Sequence, residues 1–268
     1  MNQRRRQRYV LLTGIVLLVF AGGSFLWLQA EQRRYALNRH LIAVLVQGDD
    51  KQALALVEAG ADPNTRYKPA SVPSLSELVK QLLHRSAPPT NDSPTALSIA
   101  CGVPWDDGAA AMRFQINRPD DTQLLQVMLA HGGNVHANEE GWPLLTWVIY
   151  FHRLKTAAML LKNGVNVNVR NKEGWTPLIA IAMDKPRPDA VRLLLDYGAN
   201  VNVVDKMGFT ALFNAVKFDA GKDIVHQLLT QGANPNVADM YGVTPLQLAQ
   251  EDERSDIVAL LKQAGARK

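Results

Sequence analysis

A five-residue element recurs along this chain at a nearly constant period, and nothing else in the sequence constrains the fold as tightly. It reads GADPN at 60–64, GGNVH at 132–136, GVNVN at 164–168, GANVN at 198–202 and GANPN at 232–236, with a truncated copy at Gly265 and Ala266. From Gly132 onward the glycines are spaced by 32, 34, 34 and 33 residues. A second element keeps phase with the first: GWTPLIAIA at 174–182, GFTALFNAV at 208–216 and GVTPLQLAQ at 242–250. Degenerate versions are GWPLLTWVI at 141–149 and PTALSIAC at 94–101. Apolar stretches such as VRLLLDYG and IVHQLLTQG lead into the glycines. Self-similarity at this period is the mark of a stacked repeat architecture.

The residue chemistry turns the period into structure. Thr176 is placed to cap a helix, and Pro177 falls in its first turn, where a missing N–H costs nothing. Ala180 and Ala182 are small enough to let a neighbouring unit pack closely. Val191, Leu193, Leu194 and Leu195 fall at helical spacing on a second helix and fill the space between units. Gly198 provides a left-handed helix stop, and Asn200 and Asn202 favour the turn that follows. One such unit cannot bury its apolar face alone, so units come in arrays.

This pattern resembles the ankyrin repeat, whose T-P-L-H-x-A signature has the same period, over nearly all of residues 36–268. The resemblance implies an all-α ankyrin-repeat solenoid of about six units, each a helix–turn–helix plus hairpin. The first unit, 36–64, lacks the Thr-Pro-Leu element and reads as an N-terminal cap. The last, 239–268, carries a polar helix face (Gln250, Glu251, Asp252, Glu253, Arg254) and reads as a C-terminal cap.

Two departures stand out. The His of the family signature is absent: its place holds Ser98, Thr146, Ile179, Phe213 and Gln247. In the family that His helps to tie neighbouring repeats by hydrogen bonds, so its absence argues against regular hairpin geometry here, though not against the fold. The second unit is also enlarged, with 72 residues between Gly60 and Gly132. The excess lies near 65–92, which includes the amphipathic stretch SLSELVKQLLHR at 74–85, and near 102–119. Insertions in repeat arrays map to loops, often on the binding side. A further degenerate repeat around 74–90 is the alternative.

The N-terminus is different in kind. Residues 10–28 read VLLTGIVLLVFAGGSFLWL, 19 residues without a charge. As a helix they span about 28 Å, close to the hydrocarbon thickness of a bilayer. Arg4, Arg5, Arg6 and Arg8 precede the run, and Arg33, Arg34 and Arg39 follow it beside Glu31, an imbalance that favours a cytoplasmic N-terminus. The expected layout is a basic cytoplasmic segment at 1–9, a transmembrane signal-anchor at 10–28, a juxtamembrane linker at 29–35 and the repeats at 36–268. In a bacterium this puts the repeats in the periplasm, held at the inner membrane. A cleaved signal peptide, which would secrete the repeats, shares the order of basic, apolar and small residues. Against it, the apolar run is long and Leu28 sits where a small residue is preferred before a cut after Ala30. A buried core helix is the third reading, but nothing else in the chain needs a helix apolar on all sides.

Charge and missing motifs exclude several function classes. The formal charge is +4, but beyond the four N-terminal arginines the chain carries 25 basic and 25 acidic side chains. A neutral repeat domain lacks the footprint of nucleic-acid binding. Cys101 is the only cysteine, so there is no intrachain disulfide and no cysteine-rich zinc site; its place on an apolar helix reads as a small buried filler. No P-loop, HExxH, G-x-S-x-G or EF-hand loop occurs. His131 and His136 flank a repeat turn, where surface or capping roles are ordinary. The acidic pairs Asp106-Asp107, Asp120-Asp121 and Glu139-Glu140 read as solvated loop residues. The expectation is a chain that is not an enzyme, with no cofactor, no metal, no nucleic-acid partner and a monomeric repeat domain. The competing reading is an accessory or cryptic hydrolase built on the inserted segments. It would draw on Ser71, Ser74, Ser76, Ser86, His84 or Cys101, but no spacing among them marks a site.

The resemblance places a protein-binding surface on the hairpins and the first helix of each pair. The position after the hairpin glycine holds Trp142, Trp175, Phe209 and Val243, spaced by 33, 34 and 34. Trp147, Phe213 and Phe218 add rings on the first helices, and Tyr241 lies at a hairpin tip. Aromatic side chains dominate protein-binding hot spots, which makes Trp142, Trp147, Trp175, Phe209, Phe218 and Tyr241 the candidate contacts. Packing between repeats is the competing role for Trp142 and Trp175. For Phe213, in the place of the missing His, burial is expected.

Overall fold

A computed structural model describes residues 29–66, 95–101, 120, 122–136, 138–139, 142–183 and 187–267. Twelve helices occur among them, in six antiparallel pairs. The first pair is α1 (29–47) and α2 (Asp50–Glu58). The second is α3 (Ala96–Ala100) and α4 (Gln123–Ala130). The third, α5 (Leu144–Tyr150) and α6 (Leu154–Lys162), follows a two-stranded hairpin of β1 (Asn138–Glu139) and β2 (Trp142–Pro143). The remaining pairs are α7 (Pro177–Ile181) with α8 (Pro188–Asp196), α9 (Ala211–Lys217) with α10 (Lys222–Thr230), and α11 (Pro245–Glu251) with α12 (Ser255–Gln263). The fold is the all-α solenoid of six units that the period implies. Residues 29–35, read from sequence as a linker, are helical and continuous with the first unit, and Arg34 bonds Asp62 at 3.1 Å.

The sequence makes each unit for local reasons. The hydroxyls of Thr176, Thr210 and Thr244 accept from the backbone N–H three residues on and start α7, α9 and α11. Pro143 stands in that place before α5, which has no side-chain cap. The small first helices pack on one another in a row, α5 on α7, α7 on α9 and α9 on α11, while the second helices form a parallel row behind them. Val191 and Leu194 of α8 are fully buried between the rows, and Leu193 and Leu195 are half-buried against them. Gly198 ends α8 with φ +80°, a conformation that side chains with a Cβ resist.

A ladder of asparagines links unit to unit. The third residue of each GANVN element closes its own turn, as Asn200 Oδ1 does by accepting from Asn202 N at 2.9 Å. The fifth residue reaches into the next unit. Asn202 Nδ2 donates to Gly232 O at 3.0 Å, and Asn202 Oδ1 accepts from Asn234 N at 2.7 Å. Asn64, Asn168 and Asn236 make the same two bonds with their own neighbours. Asn202 thus does more than favour a turn. The hairpins of the fourth, fifth and sixth units are regular despite the missing His. Asn171, Asp205 and Asp239 each turn one side-chain oxygen onto two backbone N–H groups of the tip. Successive tips are joined by Lys206 N to Glu173 O and Met240 N to Met207 O.

The ladder also shows how the enlarged unit is accommodated. Asn64 bonds directly to Gly132 and Asn134 across 68 and 70 residues, and α2 packs on α4. The stack therefore passes from the first turn to the second with no repeat between them. Arg66 pairs with Thr95 in an antiparallel bridge, so the chain leaves and re-enters the stack at a hairpin. The inserted segments themselves, near 65–92 and 102–119, lie almost wholly outside the described residues. So do the segments read as the basic N-terminus (1–9) and the anchor (10–28). Among the described residues no helix is long and apolar enough to cross a membrane.

Asp120 corrects the sequence reading of a solvated acid. Its carboxylate caps α6, accepting from Lys155 N at 2.7 Å, Thr156 N at 3.2 Å and Thr156 Oγ1 at 2.6 Å, and it lies 3.9 Å from the buried Arg153. Arginines make a further tie. Arg187 donates to Tyr150 O and Arg254 to Val216 O, both at 2.6 Å. Each thereby satisfies a carbonyl at the C-terminal end of the preceding unit's first helix, where positive charge is favoured.

Candidate protein-binding surface

The candidate rings fall on the hairpins and the ends of the first helices, and the structure divides them into two groups. Trp142, Trp147, Trp175 and Phe209 are half-buried. Phe218 is 43% exposed and Tyr241 74%. Phe213 is fully buried, as its position in place of the His implies.

The half-buried rings touch one another. Trp142 meets Trp175 edge-on at 5.6 Å and Trp147 at 6.0 Å. Trp147 stacks on Phe151 at 5.5 Å, and Phe151 meets the edge of Tyr150 at 5.4 Å. Five rings thus run continuously from the hairpin of the fourth unit to the end of α5. Trp175 is also fixed by its indole N–H, which donates to Asp205 Oδ2 at 2.9 Å. Sequence reasoning found these tryptophans by phase. It missed Tyr150 and Phe151, which the YF pair closing α5 could have indicated.

A second, smaller group lies one unit on. Phe209 stacks on Phe213 at 4.7 Å, and Lys217 Nζ stands 4.3 Å from the Phe209 centroid and 5.5 Å from that of Phe218. Met207 and Met240, on adjacent hairpin tips, are exposed beside Tyr241. Five of the seven exposed large apolar side chains among the described residues fall between 204 and 241.

Little at this surface suggests chemistry. Among the described residues no group of three or more His, Cys, Asp or Glu could hold a metal. His131 bonds the carbonyl of Val127 on its own helix at 2.9 Å, a capping role, and His136 is exposed. Cys101 is buried. Ser71, Ser74, Ser76, Ser86 and His84 lie outside the described residues.

Paired helices joined by hairpins, with rings gathered along one face, define a repeat protein of the kind that binds other proteins. The family model for ankyrin repeats matches in three copies, over residues 109–205 and 154–239, so this part of the chain carries ankyrin repeats. Among solved structures, an ankyrin repeat domain from Acinetobacter baumannii AYE is similar over 85% of this chain and 98% of its own, with 26% identity and a TM-score of 0.63. No curated protein matches the chain.

Proposed function

We propose that this chain is a membrane-tethered protein-binding module, held by residues 10–28 with its repeats outside the cytoplasm, in the bacterial periplasm, as scaffold or partner of an envelope protein. The observation that carries the binding role is the clustering of exposed apolar side chains at the hairpin tips of the fifth and sixth units, backed by the half-buried Phe209 stacked on the buried Phe213. Isolated exposed apolar residues are ordinary; a contiguous group beside aromatic anchors marks an interaction site. The tether rests on the uncharged run at 10–28 and the arginines ahead of it.

The binding role is tested by placing a photo-crosslinking residue at Tyr241 or, as control, at Arg192 on the opposite row of helices, in intact cells. One partner captured from 241 and absent from 192 is expected; equal capture from both places would reject this surface. The tether is tested by fusing alkaline phosphatase after Lys268. Active phosphatase in the membrane fraction is the expected result. Inactive fusion would reverse the topology, and activity in the medium with an N-terminus near Glu31 would mean a cleaved signal.

A further inference from the structure

The charges around the exposed patch are unevenly satisfied. Asp205 and Asp239 are committed to backbone N–H groups, and Asp205 also to the Trp175 indole. Asp219 pairs with Arg254 at 2.7 Å. Lys172 and Lys206, on neighbouring hairpin tips, and Lys217, at the end of α9, make no ion pair among the described residues. Lys217 is held over the rings of Phe209 and Phe218 instead. An ammonium on ring faces keeps N–H donors for a further acceptor, and the rings fix where that acceptor must sit.

We propose that the face formed by Met207, Phe209, Lys217, Phe218, Met240 and Tyr241 binds a protein segment in which an Asp or Glu is flanked by aliphatic or aromatic side chains, the carboxylate pairing with Lys217. This rests on the protein-binding reading above and specifies the partner's chemistry. The two methionines suit it, because flexible thioethers adapt to apolar side chains of varied shape. Desolvation by the flanking apolar groups strengthens the Lys217 pair, which in open water would be worth little. Glu251 occupies the place of Lys217 one unit on, with Asp252 beside it, so the sign of the face changes along the stack. An anionic lipid surface would sum these charges, and there Glu173, Glu251 and Asp252 offset Lys172, Lys206 and Lys217. A segment in fixed register meets Lys217 alone.

The test selects a displayed random dodecapeptide library against the full chain in detergent micelles, then measures the selected peptides by fluorescence polarisation. Peptides with an acid between apolar residues are expected. Lys217→Glu should weaken them at least tenfold, and Lys217→Met, which keeps the ring contact and drops the charge, by about fivefold. Both variants should melt with the parent, since Lys217 is exposed. If Lys217→Glu melts earlier, Lys217→Met alone decides. Neutral or basic peptides that lose binding in Tyr241→Ala but ignore Lys217 would overturn this partner chemistry and leave the binding role standing. A library that yields no binder would overturn both. Binding of phosphatidylserine vesicles that depends on Lys217, without acidic peptides, would replace the protein segment with lipid.

Discussion

Between the fourth and fifth units, Asn202 donates to Gly232 O and accepts from Asn234 N, and the hairpin tips on either side are joined through the backbone. Between the second and third units the same position holds the exposed His136, and neither bond is made among the described residues. There the cap of α5 is also gone, because Pro143 replaces Thr. Another device serves this joint: Asp120 caps the neighbouring helix α6. The rings lie one joint further on, where Trp142 of the third unit meets Trp175 of the fourth beside the Asn168 clamp. The regular joints are held by short polar clamps that repeat with the motif. The irregular one has in their place a carboxylate that belongs to it alone.

Substitutions on the two sides can break this contrast. Trp142→Ala, at the joint of the third and fourth units, should have the largest effect, a loss of roughly 2–4 kcal/mol in urea denaturation, because the ring touches both Trp147 and Trp175. A variant as stable as the parent would show that the rings do not hold these two units together and are available to a partner. Asp120→Ala removes the cap of α6 and a carboxylate 3.9 Å from the buried Arg153; a loss of about 2 kcal/mol is expected. If it melts with the parent, the second joint rests on apolar packing alone.

On the regular side, Asn202→Ala should cost about 1–2 kcal/mol, the value of its two bonds between units. The reverse change sharpens the comparison: His136→Asn should restore the clamp to Gly164 and raise stability by about 1 kcal/mol. No gain there would mean that the turns at 132 and 164 are set too far apart for the ladder. The smallest effect belongs to the bend inside the sixth unit. Glu253 has φ +55°, so Glu253→Gly should relieve backbone strain and raise the melting midpoint by the equivalent of about 0.5–1 kcal/mol.

The contrast also explains what could be read from the sequence. Thr176, Pro177 and Gly198 act within a few residues of themselves, so their roles follow from local chemistry, and the number of units follows from the period. Asn202 looked like a turn former because the turn is local; its second role crosses 30 and 32 residues to the next unit. Asp120 acts across 35 and 36 residues with no recurring spacing to announce it, and Arg187 acts across 37, where its recurrence at Arg254 two units on is the signal that could have found it. The candidate rings were legible by phase, but their division was not. Whether Trp142 faces a partner or a neighbouring ring depends on Trp175, one unit away, and on how closely the units stack.

The bridge between Arg66 and Thr95 bears on how the chain reaches this state. Every other joint forms from residues about one period apart, so the array can grow by zipping from any folded pair. At the first joint the intervening 28 residues must be gathered before any contact rewards it. Closing that length costs roughly 2 kcal/mol more chain entropy than closing a tight turn. The first unit should therefore dock after the others and be the first to peel away. If the chain hangs from its N-terminus, that unit is also where a pull on the tether arrives, so load would unzip the solenoid from the membrane side and leave the ring-bearing units folded longest.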